Sequence, residues 1–351
     1  MKLLNDLFDT IKYKNIGLKG MTDESFCVYV NKIFEEENKN VIILTSTIYE
    51  ANKLLNIMTT LNNKTLFFPM DDFLTSEALA ISPEFKLTRL NTLNTLISKK
   101  QIVITNLMGF LRFLPKVEDY KNAKCVISVD NDYTFEEIVN QLYMMGYKRE
   151  TIVTKTGEMA VRGFIIDIFP INYNNPIRIE FWGDQIDRIS EFDIDTQVST
   201  NRLTDIEITP VTEFIVNKNV EEEKYRDIVK YIKPDSIIDY LDNPIIIYND
   251  QKAIYENYKL LYDEITDYTE SNLLDNDTKF MHSLEEIKLG NISQIDFVSF
   301  DNVKNTKNSF NYNAFELENF TGGLETISKK LDDYINNGKT VIICLSDKYK
   351  V

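Results

Sequence analysis

The chain is predicted to be an α/β protein. A parallel-sheet domain of nucleotide-fold type is built from two chain segments, and a small α+β domain with an antiparallel sheet is inserted between them. Two observations predict this. Before about residue 115, wholly apolar runs of about five residues are separated by helical stretches, as a parallel sheet covered on both faces requires. Between Pro115 and Pro210 the pattern changes to short runs of period two separated by turn residues, which is antiparallel patterning.

In the first segment, Asn15 to Leu18 is a short strand, and Asp23 to Glu37 is a helix with Thr22 or Asp23 as N-cap. Val41 to Thr45 is a buried strand, followed by a helix from Ile48 to about Leu61. Thr65 to Pro69 and Ile102 to Thr105 are further strands. The helix between them runs from Pro83 to Ser98, and proline suits a first helical turn. The middle segment holds a helix from Thr134 to Met145, stopped by Gly146. After Pro210 the chain turns helical and acidic. Val220 to Ile232 is a helix, Pro244 to Tyr248 a strand, Gln251 to about Thr269 a long polar helix, and Asn272 to Asp277 a loop. Ile295 to Phe300 is a strand. Leu324 to Asn336 is an amphipathic helix with Leu324, Ile327, Leu331 and Ile335 on one side. Lys339 to Leu345 begins a strand, so a following domain is expected. The predicted division is 1–115, 116–210, 211–340, and 341–351 as the start of that next domain.

The bulk properties exclude several classes. With 43% hydrophobic and 27% charged residues, the chain of 351 residues has the composition of a folded protein of two or three domains. No apolar run approaches the roughly 20 residues needed to span a bilayer. The first residues carry acidic side chains where a signal peptide needs an unbroken apolar core, so a cytoplasmic location is expected, with no membrane contact. A formal charge of −16 repels the phosphate backbone and opposes sequence-independent DNA binding. Glu35 to Glu37 and Glu221 to Glu223 are solvated helix faces. Cys27, Cys125 and Cys344 lie far apart with no metal-ligand spacing, and His282 is the single histidine. No catalytic residue, metal site or cofactor is expected, and His282 is taken as an ordinary surface or helix residue.

One stretch stands apart. From Ile177 to Trp182 the residues alternate, so Ile177, Ile179 and Phe181 point one way while Arg178, Glu180 and Trp182 point the other. Gly183-Asp184 supplies a turn, and Ile186 to Phe192 folds back as a hairpin. An arginine, a glutamate and the only tryptophan thus share the face away from the core, a composition typical of interface hot spots. Two alternatives stand beside this: a tryptophan covered by a neighbouring element, and arginines neutralised internally by Glu158, Asp167, Glu180 or Asp187.

The wording around that strand is specific. Tyr147-x-Arg149, Gly157-Glu158-x-Ala160-Val161-Arg162-Gly163, Ile166-Asp167-Ile168-Phe169-Pro170 and Ile177-Arg178-Ile179-Glu180-Phe181 appear in order, followed by Asp184, Phe192-Asp193 and Thr196-Gln197. They resemble a small domain shared by the bacterial transcription-repair coupling factors and the excision-repair subunit UvrB. In that family it is the docking platform for UvrA. The resemblance implies a UvrA contact through Arg149, Arg162, Arg178, Glu180, Phe181 and Trp182. Val198 departs from it, standing where the family often has arginine, and Arg188 is taken as peripheral. Arg162 and Arg178 are both expected to be replaceable by alanine without loss of stability.

The resemblance also implies that the larger domain is a degenerate RecA/helicase-like fold. Gly17-Leu18-Lys19-Gly20-Met21-Thr22-Asp23-Glu24 occupies the place of a phosphate loop, yet Asp23 stands where the lysine belongs and Glu24 where the magnesium-binding hydroxyl belongs. Two carboxylates would oppose a triphosphate, so Gly17, Gly20, Asp23 and Glu24 are expected not to hold ATP. Gly338-Lys339-Thr340 lacks the upstream glycine and follows a helix, the reverse of the required order. The interval 71–84 is too short for UvrB's aromatic hairpin and has no tyrosine. The expected function is therefore a monomeric, non-catalytic recruitment module that brings UvrA to a stalled RNA polymerase. RNA polymerase and DNA would be reached only through other domains of that family. The alternative is a UvrB-like nucleotide-dependent DNA-binding repair enzyme.

Overall fold

The computed structural model describes residues 16–72, 82–97, 99–129, 133–213, 215, 233–271, 279–287, 289–298, 309–312 and 323–341. The chain divides into two compact units, Met1–Asn313 and Ala314–Val351.

The first segment begins with β1 (Ile16–Lys19), α1 (Asp23–Glu37), β2 (Val41–Thr45) and α2 (Ile48–Leu61). It continues through β3 (Thr65–Phe68), α3 (Pro83–Leu96), β4 (Ile102–Asn106) and the short α4 (Leu107–Phe110). Caps define the helix starts. The Thr22 hydroxyl accepts from Ser25 N at the head of α1, and Thr47 with Glu50 forms a reciprocal capping box on α2. β3 stops at Phe68 because Pro69 has no N–H to give the ladder.

The middle segment holds α5 (Val117–Asn122), β5 (Cys125–Ser128), α6 (Phe135–Met144), β6 (Lys148–Arg149) and β7 (Glu158–Arg162). β8 (Ile165–Ile168), β9 (Ile177–Trp182), β10 (Gln185–Phe192), β11 (Ser199–Leu203) and β12 (Asp205–Ile208) follow. The chain then passes through a 3-10 turn (Ile237–Tyr240) to β13 (Ile245–Asn249), α7 (Gln251–Ser271), β14 (Ser293–Val298) and β15 (Ser309–Asn311). In the second unit, α8 spans Leu324–Asn336.

Seven strands make one sheet in the order β15-β1-β14-β13-β2-β4-β3, every neighbouring pair parallel. β1, β13, β14 and β15 bring both chain segments into that sheet, so its two halves close around an insert. Apolar clusters cover both faces. One gathers Ile42, Leu44 and Val103 with α3, the other Val41, Ile43 and Ile104 with α1 and α2. Alternate residues of one strand thus feed opposite cores, which is why each strand is apolar throughout. Each fully buried aliphatic contributes about 1.5–3 kcal/mol relative to exposure.

The insert carries a six-stranded sheet in the order β11-β10-β9-β8-β7-β6, antiparallel except for β6 with β7. A two-stranded antiparallel sheet of β5 and β12 shares its core. α6 packs Ile138 and Leu142 onto that core, started by a Thr134–Glu137 capping box. The ends of the insert are tied together. Leu114 and Asp235 exchange backbone hydrogen bonds at 2.8 and 2.9 Å. Just beyond β12, the buried Glu213 accepts from Arg89 Nε at 2.6 Å and from Arg112 Nη2 at 2.7 Å.

Several expectations shift. The strand expected at Pro244 begins at Ile245, and the one expected from Ile295 begins at Ser293 in parallel register with β13. α3 ends at Leu96. His282 lies on no helix; it packs edge-on against Phe113 and its Nε2 meets the Asp235 carbonyl oxygen at 3.0 Å. Residues 339–341 lie outside any strand. The expected helix from Val220, the loop from Asn272, Cys344, residues 73–81 and the rest of the Lys339 to Leu345 strand fall outside the described residues.

Candidate functional site

The face of the six-stranded sheet turned away from α6 is built by register. Asp167 of β8 stands opposite Arg178 of β9, and Ile165 opposite Glu180. Arg162 of β7 pairs with Ile165, while Ser190 and Arg188 of β10 pair with Arg178 and Glu180. Directly paired residues leave a sheet on the same side, so these side chains share the face opposite α6. Trp182 closes the row at the end of β9.

Asp167 is the pivot of this face. Its carboxylate is buried and accepts from Arg178 Nε at 2.7 Å, from Arg178 Nη2 at 2.9 Å and from Arg162 Nη2 at 2.5 Å. Arg178 is used up in place: its side chain is 16% exposed, it also donates to the Gln197 carbonyl, and it lies 4.7 Å over the Phe192 ring. Hydrogen bonding to Asp167 raises its pKa above the usual value, so it stays cationic throughout. Arg162 differs. It touches the same carboxylate, but its side chain is 48% exposed. Glu180 is held by Arg188, whose Nη2 lies 2.5 Å away, and Arg188 is itself partly exposed. Arg188 therefore shares the face with Glu180.

Trp182 is 83% exposed, which overturns the alternative of a covered tryptophan. Arg162 and Arg178, by contrast, are neutralised locally as the other alternative held, both by Asp167, and Glu180 serves Arg188. Phe181 is corrected as a contact residue. It is buried beneath the face, edge-on to Phe135 of α6 with centroids 5.3 Å apart, because odd positions of β9 face the core. Arg149 is separated from the row. It pairs with the buried Met159, so it leaves the sheet on the α6 side, where Nη1 lies 3.5 Å from the Tyr143 hydroxyl. Val198 is exposed on the connection after β10.

Sequence reasoning missed Phe164. It follows Gly163 at the β7–β8 turn and is 62% exposed. The available signal was an aromatic directly after a turn glycine, where packing makes no demand for one.

The candidate phosphate loop is also placed differently. Gly17 is inside β1, paired on both sides with Asp296 and Ser309, because β14 and β15 hold the strand out to Lys19. The connection to α1 is only Gly20, Met21 and Thr22; Gly20 has φ 66° and Met21 is buried. Asp23 pairs with Lys53 at 2.5 Å, and Glu24 stands beside it in the first helical turn.

A family model described as the UvrB interaction domain matches residues 126–214, from β5 to the residue after Glu213. The chain is 26% identical to the transcription-repair-coupling factor of Bacillus subtilis (strain 168), over 99% of its own length and 34% of that protein. It is 30% identical to the one from Staphylococcus aureus (strain bovine RF122 / ET3-1), over 73% of its length and 22% of that protein. With the one from Staphylococcus haemolyticus (strain JCSC1435) the figures are 26%, 96% and 27%. The chain thus spans about a third or less of the length of these curated relatives.

Proposed function

The chain is a relative of the transcription-repair-coupling factors and carries a UvrB interaction domain; from that premise we propose that it is a non-catalytic recruitment module that binds UvrA. In this reading it directs nucleotide excision repair to a stalled RNA polymerase in the cytoplasm. The observation that carries it is one face of the matched domain, which bears Trp182 at 83% exposure and Arg162 at 48%. Arg162 is held by Asp167 yet its side chain stays 48% exposed, and a guanidinium fork suits a carboxylate on a partner. An exposed aromatic and an exposed arginine on one face are the composition of a binding hot spot. Arg188 and Glu180 extend the same face.

Two observations support the non-catalytic half. The β1–α1 connection is three residues with a buried methionine, and Asp23 and Glu24 stand at the head of α1 where phosphate charge would be met. Two carboxylates also occupy helix starts beside the parallel sheet. Asp72 accepts from Ile48 N, and Asp296 from Gln251 N, each occupying a helix start that an anion would need. Contacts to RNA polymerase and to DNA are not assigned to these residues, and the charge of −16 opposes the latter.

Calorimetric titration with purified UvrA tests the reading. Saturable binding that weakens in Arg162→Ala is expected, with no saturable magnesium-dependent signal from ATP. Absence of binding overturns the recruitment reading, and a magnesium-dependent ATP isotherm overturns the non-catalytic one.

A further inference from the structure

We propose that Phe164 is a second aromatic anchor for UvrA, so that the docking site wraps the end of the six-stranded sheet instead of lying on one face of it. The inference rests on the UvrA-docking reading above. Two hairpin tips meet at this end. One is the β7–β8 turn, with Gly163 at φ 59° followed by Phe164; the other is the β9–β10 turn, with Trp182 followed by Gly183 at φ 62°. Phe181 N donates to Phe164 O at 2.9 Å, which fixes the tips side by side.

The two rings leave the sheet on opposite sides. Phe164 stands level with Phe181 and leans edge-on toward Phe135, with centroids 6.2 Å apart and planes at 72°. Phe135 in turn packs edge-on against the buried Phe181. This chain of rings holds Phe164 in place while leaving it 62% exposed, so little rotamer freedom remains to be lost on binding. Trp182, next along β9, emerges on the Asp167 face. Arg162 ends the strand that leads into the first tip, its side chain 48% exposed and turned back to Asp167. Large aromatics and an arginine gathered at one end of a sheet are the composition of a binding hot spot.

The occupant follows from charge. A net charge of −16 on each copy opposes a symmetric pair of this chain. A partner presenting an apolar cleft with carboxylates on its rim fits both rings and the Arg162 fork. Such a cleft must be deep enough to receive a sheet end from two sides.

Calorimetry of UvrA with Phe164→Ala, Phe164→Leu, Trp182→Ala and Arg162→Ala tests this, with melting curves for each variant. Phe164→Ala is expected to raise Kd about tenfold. Phe164→Leu, which keeps an apolar side chain over Phe135, is expected to raise it less and to melt as the parent does. Unchanged affinity in both Phe164 variants, with weakening in Trp182→Ala and Arg162→Ala, overturns the inference and leaves the docking reading standing. Unchanged affinity in all four overturns both. A parent chain that elutes as a dimer, dissociated by Phe164→Ala, overturns UvrA as the occupant of this tip.

Discussion

Arg178 and Asp167 face each other across β9 and β8, and a buried carboxylate takes two hydrogen bonds from one guanidinium at 2.7 and 2.9 Å. Arg162 reaches the same carboxylate from β7. One buried acid thus organises two arginines of different exposure: the Arg178 side chain is 16% exposed and that of Arg162 48%.

Arg178→Ala is therefore expected to destabilise the chain, contrary to what the sequence implies. Asp167 would lose its two-pronged partner while staying buried, and Phe192 would lose its cover. The loss should be about 2–3 kcal/mol of unfolding free energy, because hydrogen bonds to charged groups contribute about 1.5–3 kcal/mol. Urea unfolding measures it. A midpoint equal to the parent's would show that Asp167 is adequately held by Arg162 alone.

Arg162→Ala should behave in the opposite way. Its pair is partly exposed, so stability should change by less than about 1 kcal/mol. Affinity for UvrA should fall by about 1–3 kcal/mol. Comparing Tm and Kd across the two arginine variants separates a structural role from a binding one, and equal effects of both on both quantities would contradict the division.

The parallel sheet was legible because its strands are apolar at every position, which few other environments tolerate; Val41–Thr45 and Ile102–Asn106 are buried throughout. The side of β9 that carries Trp182 was legible from alternation, since Ile177, Ile179 and Phe181 could only face a core. What alternation does not encode is the neighbour across the ladder. The sharing of Asp167 by Arg162 and Arg178 depends on the β7–β8–β9 register, which hydrogen bonds set between distant residues. Arg149 was grouped with the other arginines by wording alone, and its register with Met159 sends it to the other side. Gly17 was counted both in the first strand and at the start of a phosphate-loop motif, and parallel partners on both sides hold it in the strand.

Glu213 gives a pH dependence. Burial pushes its pKa up, but the charges of Arg112 and then Arg89, with their hydrogen bonds, outweigh that and hold it at about 2. A folded-state value below the ordinary one means the stabilisation is fully present above about pH 4.5 and is lost as pH falls through 2. Glu213→Gln removes the charge that two buried guanidinium groups need. It should cost about 3–5 kcal/mol at neutral pH and flatten the acid limb of the Tm profile between pH 5 and about 2. An acid limb as steep as the parent's would place the responsible carboxylate elsewhere.

Trp182 reports on the site directly, because it is the only tryptophan in the chain. At 83% exposure its indole should emit at long wavelength and be quenched by acrylamide nearly as readily as a free indole. Binding that desolvates the ring should shift the emission to the blue and protect it from the quencher. Arg162→Ala, which leaves the indole in place, should give the same spectrum when free and need more UvrA to reach the shifted one. Protection from acrylamide in the free chain would contradict the open face, and an unshifted spectrum at saturating UvrA would place the contact away from β9.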